Sequence, residues 1–195
     1  MKRPSLFLSL LGLAICVAIG LALFLKNDTK KNEDFSFLYP RLSFGLTDPQ
    51  LRKQQNIVQE DVLIDEEGKL YVQMEHARFP HIAVYHFEKD VLKEYGYLID
   101  ESSLKQNSAK DFLALFEDII QALEAHTQSK AARLTSWRGK ERPLSEVEAG
   151  LQAAEVDCNA EIKTPDYTCN IWLSNDEGGI ALLVIYSKPQ ETKEK

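Results

Sequence analysis

His76, His81 and His86 recur at intervals of five residues, and histidine is the commonest ligand for transition metals. Ligands must converge on one point about 2 Å from the ion. On an extended chain, however, residues an odd number apart point to opposite faces, and Phe79-Pro80 interrupts the run between His76 and His81. The spacing therefore reads as ordinary edge or surface histidines, with no metal and no cofactor. Carboxylates gather in two glycine-containing turns, Asp65-Glu66-Glu67-Gly68 and Asp176-Glu177-Gly178-Gly179. They could act as general acid and base only if the turns met in a cleft that shifted their pKa values. Solvation of two turns is the simpler reading. Ser102, Ser103 and Ser136 lack the flanking glycines of a nucleophile elbow, so catalysis has no sequence support.

Two further patterns carry chemistry. Cys158 and Cys169 are the only cysteines after Cys16, which suits one disulfide in an oxidising compartment. Closing so short a loop would stabilise by roughly 2–3 kcal/mol in the chain-entropy view. Trp137-Arg138-Gly139-Lys140-Glu141-Arg142-Pro143 sets three basic residues against one acid beside a tryptophan. Trp and Arg dominate protein interfaces, which makes Trp137, Arg138 and Arg142 candidate protein-binding residues. The alternative is a Trp137 packed into the core and a solvated loop.

The elements that position these residues begin with an apolar run. Residues 6–25 carry a single hydroxyl, Ser9, between Lys2-Arg3 and Lys26. Twenty helical residues reach roughly 30 Å, the thickness of a bilayer's hydrocarbon core. A cleaved signal peptide would have a shorter core and small residues where Leu23-Phe24-Leu25 stand. A lipoprotein signal ending at Cys16 would not leave nine more apolar residues after it. The run reads as an uncleaved single-pass anchor, with a cytoplasmic tail (1–5) and the remainder extracytoplasmic, facing the periplasm from a bacterial inner membrane. Gly12, Cys16 and Gly20 recur every four residues, a spacing that lets two membrane helices approach and would support a homodimer.

Charge limits the partners. Residues 1–34 hold five basic residues against three acids, so the whole-chain −7 leaves −9 on residues 35–195. Such a domain repels phosphate backbones and anionic lipid surfaces, which argues against nucleic acid; it allows a basic protein partner, although a solvated acidic surface is the commoner meaning of such a charge.

Residues 26–55 read as linker and irregular chain, 56–188 as one soluble domain, and 189–195 as a frayed tail. Around Glu66-Glu67-Gly68, Val62 and Ile64 alternate with acids before the turn, and Leu70, Val72 and Met74 alternate after it, which marks a hairpin. Further strands are expected at 82–87 and 91–99. Ser108 with Asp111 opens a helix whose Phe112, Leu115, Phe116, Ile119, Ile120 and Leu123 form one apolar stripe. A fifth strand (131–137), a short helix opened by Ser145 and Glu148, and strands at 158–162, 167–173 and 180–186 complete the pattern. Ile180 to Tyr186 is apolar on both faces and predicts a central strand covered on both sides. The expected class is α+β: a mainly antiparallel sheet packed on one long and one short helix, behind a transmembrane helix.

Membrane tether, polar linker and one acidic domain form a layout shared by bacterial envelope accessory proteins and by immunity proteins that neutralise toxins. The expectation is a non-catalytic protein-binding domain. Its rivals are an envelope-active hydrolase using the turn carboxylates and a scaffold assembling through its membrane helix.

Overall fold

The computed structural model describes residues 35–76, 79–101, 108–176 and 179–189. The apolar run 6–25 with Gly12, Cys16 and Gly20, and also Ser102, Ser103, Glu177 and most of the tail, lie outside the described residues. Among the described residues no helix is long and apolar enough to cross a membrane.

The fold is α+β. Helix α1 (Asp48–Gln55) precedes a meander of β1 (Val62–Glu66), β2 (Lys69–His76), β3 (Phe79–Glu88) and β4 (Val91–Asp100). Helix α2 (Ala109–Thr127) precedes a second meander of β5 (Ala132–Trp137), β6 (Val156–Lys163), β7 (Thr168–Asp176) and β8 (Gly179–Ser187). A short helix, α3 (Val147–Gln152), interrupts the second meander between β5 and β6. All eight strands form one antiparallel sheet in the order β1-β2-β3-β4-β8-β7-β6-β5. The last strands of the two meanders thus meet at the centre, and the first strands form the two edges.

Local chemistry accounts for the helices. The Ser108 hydroxyl accepts a hydrogen bond from the Asp111 amide, and the Asp111 carboxylate accepts from the Ser108 amide, which closes the start of α2. The six stripe residues expected from sequence are all buried, and the helix packs on β7 and β8. Helix α1 lies within a segment whose sequence reads as irregular. The Gln50 side chain accepts from the Thr47 amide and Pro49 sits in the first turn, where its missing N–H costs nothing. Helix α3 starts at Val147 after a single 3-10 turn, without a side-chain cap from Ser145.

One face of the sheet is covered by α2, α3 and an aromatic segment at the start of the domain. Phe35, Phe37 and Leu38 are buried. Phe37 stacks on His81 at 4.6 Å and meets Tyr97 edge-on at 5.7 Å. Tyr39 stacks on His126 of α2, and the Tyr186 hydroxyl donates to the Leu38 carbonyl. Residues 35–55 therefore belong to the core of the domain rather than to a linker-like approach.

The opposite face carries no helix among the described residues. Its side chains follow from the register: Gln73, Ile82, Leu98, Leu183, Trp172, Asn159 and Leu134 lie in one row across seven strands. Here the expectation of a doubly covered β8 is corrected. The strand is central, yet Leu183 and Ile185 remain half-exposed on the open face while Leu182, Val184 and Tyr186 are buried beneath α2.

At the sheet's centre Gly96 faces Ile185, and a β-carbon on Gly96 would lie 2.0 Å from the Val184 carbonyl oxygen. Backbone, unlike a flexible side chain, cannot yield there without opening the β4–β8 ladder. We expect Gly96→Ala to lower unfolding free energy by about 3 kcal/mol in urea titration. A loss near the ~0.5 kcal/mol typical of surface changes would show that the two strands can separate there without cost.

Candidate functional site

The structure corrects the expected disulfide. Cys158 lies opposite Leu173 and Cys169 opposite Ile162 on the paired strands β6 and β7. The thiols are therefore offset by four positions along the ladder, roughly 13 Å at strand rise, well beyond the ~7 Å limit for joining two Cα atoms. Both are free and buried on the helix-covered face. The turn brings the strands together, but their register, which the sequence does not fix, keeps the sulfurs apart. Burial pushes the Cys158 thiol up to about 11 and the Cys169 thiol up to about 12. These are inert packing groups, not nucleophiles.

The odd spacing places His81 and His86 on opposite faces, but His81, buried on the inner strand β3, corrects the expectation of edge or surface histidines. His81 is buried on the covered face among Phe37 and Tyr97, and His86 is exposed on the open face 3.5 Å from Glu94. No cluster able to hold a metal occurs among the described residues. The carboxylate turns are also apart. The β1–β2 turn lies at the sheet end marked by His86 and Glu94, whereas Asp176 lies at the end marked by Asp100, beyond three intervening strands. Asp65, Glu66 and Glu67 do not meet Asp176.

Around Trp137 the loop is built for packing. The indole covers Gly150 of α3 so closely that a β-carbon there would lie 2.4 Å from the ring. Arg142 sits over the indole at 5.4 Å and pairs with Glu155 at 2.8 Å. Arg138 donates to both carboxylate oxygens of Asp157 at 2.8 and 3.2 Å, and this bond raises its pKa further. Trp137, Arg138 and Arg142 are brought together, but their binding capacity is directed within the domain. The basic loop is largely neutralised by its own neighbours.

The open sheet face offers what that loop does not. In the row Leu134, Asn159, Trp172, the two outer side chains are 62 % and 40 % exposed. Between them the Asn159 Oδ1 is buried without a hydrogen-bond partner. Leaving such a buried acceptor unpaired costs about 1–3 kcal/mol. Inward from Trp172 the row continues through Leu183 and Leu98. Beside it lies a cavity of about 180 Å3 whose lining includes Lys69, Tyr71, Val84, His86, Glu94 and Ile185. Sequence reasoning misses Trp172 and Leu134 because each reads as an ordinary strand residue. The signal available is a large apolar residue on the polar phase of a half-buried strand.

The buried thiols and tyrosines set an alkaline limit. Cys158, Cys169 and Tyr97 (held up to about 12 by burial) keep their protons in the folded state at pH values where the unfolded chain has released them. Their contribution is complete below pH 9 and is lost as pH rises through 11 to 12. We expect the urea midpoint to fall steeply over that window, and reductant to leave it unchanged at pH 7. Thiols 158 and 169 should resist alkylation until the domain is unfolded, whether or not reductant is present. Rapid native-state alkylation, or a reductant-dependent midpoint, would contradict the buried free thiols. Comparison with known protein families, characterised proteins and solved structures finds no match for this chain.

Proposed function

We propose that this chain is a membrane-tethered, extracytoplasmic protein-binding domain without catalytic activity, and that it binds through the open face of its sheet. The observation that carries this reading is the row Leu134, Asn159, Trp172, in which exposed apolar groups flank an unpaired buried acceptor. Apolar anchors at the centre of a patch and a polar group awaiting its complement are the parts from which protein interfaces are made. A net charge of −9 beyond residue 34 steers basic partners toward the domain, and a Lys, Arg or backbone N–H from such a partner would satisfy Asn159. The run 6–25 supports the tether, and neutralising a basic toxin or enzyme in the envelope fits the layout.

Two measurements test it. A photo-crosslinking residue placed at position 172 of the full chain should capture one basic protein in native envelopes, and the same residue at position 110 on α2 should not. Asn159→Leu removes the orphan acceptor: folding should gain about 1 kcal/mol while capture at position 172 falls several-fold. Unchanged capture would remove the open face from the reading. Protease added to intact spheroplasts should digest the domain; protection until lysis would place it on the other side of the membrane.

A further inference from the structure

We propose that the two edges of the sheet are complementary, so that β1 of one copy pairs with β5 of a second copy and continues the sheet from molecule to molecule. This contact runs along the strand edges; it shares Leu134 with the open-face row but does not depend on the function proposed above.

Three observations carry it. The first is direction. Seven antiparallel pairings separate β1 from β5 across the sheet, so the two edge strands run in opposite directions. A second copy placed alongside in the same orientation therefore sets its β1 antiparallel to β5 of the first. The helices of both copies then lie on the same side. Such a contact joins unlike surfaces and leaves an edge open at each end, which is the arrangement that extends beyond two copies.

The second observation is charge. The β1 edge presents Glu60, Asp61, Asp65, Glu66 and Glu67, all exposed, and the β5 edge presents Lys130, Arg133 and Arg138. Several of these are already in ion pairs: Asp65 with Arg52, Lys130 with Glu124, Arg133 with Glu117 and Glu124, and Arg138 with Asp157. Glu66 and Glu67 still face solvent, and Lys130 is 91 % exposed. Pairing β5 with β5 would instead bring basic residues together, which favours the unlike contact.

The third observation is register. The pleat requires residues on one face of β1 to meet residues on the same face of β5. Ile64, opposite Tyr71, lies on the open face, as does Leu134, opposite Asn159. Setting Ile64 against Leu134 pairs the apolar residues and places Asp65 opposite Arg133 on the helix-covered face. Edge strands of soluble domains are usually guarded. Strand β5 has no bulge, no proline and six unbroken pairs with β6. Strand β1 is bulged between Val62 and Ile64, which confines the new ladder to the residues from Ile64 onward. The contact is short and correspondingly weak.

Disulfide trapping tests this with the full chain carrying Cys16→Ser, because Cys158 and Cys169 are buried. Ile64→Cys and Leu134→Cys chains, mixed and oxidised, should form a crosslinked dimer that neither chain forms alone. Crosslinking of Leu134→Cys with itself at equal yield, or none in the mixture, would overturn the proposal. Asp65→Arg should lower the mixed yield several-fold. Combining Asp65→Arg with Arg133→Asp in both crosslinking chains should restore it, circular dichroism confirming that every variant is folded. Failure to restore would overturn the assigned register and the charge complementarity with it.

Discussion

The pairing of β4 with β8 is the constraint on which the rest of the domain depends. Each meander alone would be a four-stranded sheet with an apolar inner strand at one side. Joined along Glu94–Asp100 and Ala181–Ser187, they become one sheet with its most apolar strand, β8, at the centre. Gly96 makes the approach possible, and the Tyr95–Tyr186 stack at 5.2 Å closes it on the covered side. Tyr186 then reaches the Leu38 carbonyl, so the aromatic segment at the start of the domain is fastened to the same line. Packing of α2 over β7 and β8 completes the cover of that face. Polar groups, including the buried His81, are set into this frame rather than shaping it.

Much of this frame is legible from residue spacing. Period-two alternation around Gly68 marks β1 and β2, and the stripe from Phe112 to Leu123 marks α2 with its cap. Where the pattern is regular, burial can be read directly. Helix α1 is hidden because Pro49 reads as a breaker, although Thr47 and Gln50 stand at the spacing of a capping box. The central place of β8 agrees with its continuous apolar run; its single cover does not. An apolar residue on both phases of a strand marks it as central, but does not by itself say that a second layer covers it. The duplication of meanders is also invisible, since it lies in strand order and leaves no shared residues.

The candidate site is harder to read for a related reason. Cys158 and Cys169 occupy neighbouring strands as expected, yet their separation depends on register, which the Thr164–Asp166 turn alone does not set. Trp137 and its arginines have the composition of an interface, and geometry commits it to Gly150, Asp157 and Glu155. The features that do face outward, Trp172 and Leu134, flank the buried Asn159 oxygen, a relation that becomes visible only when β5, β6 and β7 are aligned side by side. Residue type locates the material of a site; topology decides which of it points to solvent.

The palindromic strand order also bears on how the chain reaches this state. Within each meander, most partners are separated by a short turn, and such hairpins form in microseconds. The β4–β8 ladder joins residues roughly 80–90 positions apart, so its closure carries the largest chain-entropy cost and comes late. Until it closes, each half displays a bare edge, β4 with Leu98 on one and the apolar β8 with Leu183 and Ile185 on the other. Two nascent chains meeting at that stage could exchange halves as readily as either could close on itself. Confinement of each chain's own halves, rather than the stability of either meander, therefore decides between monomeric folding and a swapped or aggregated product.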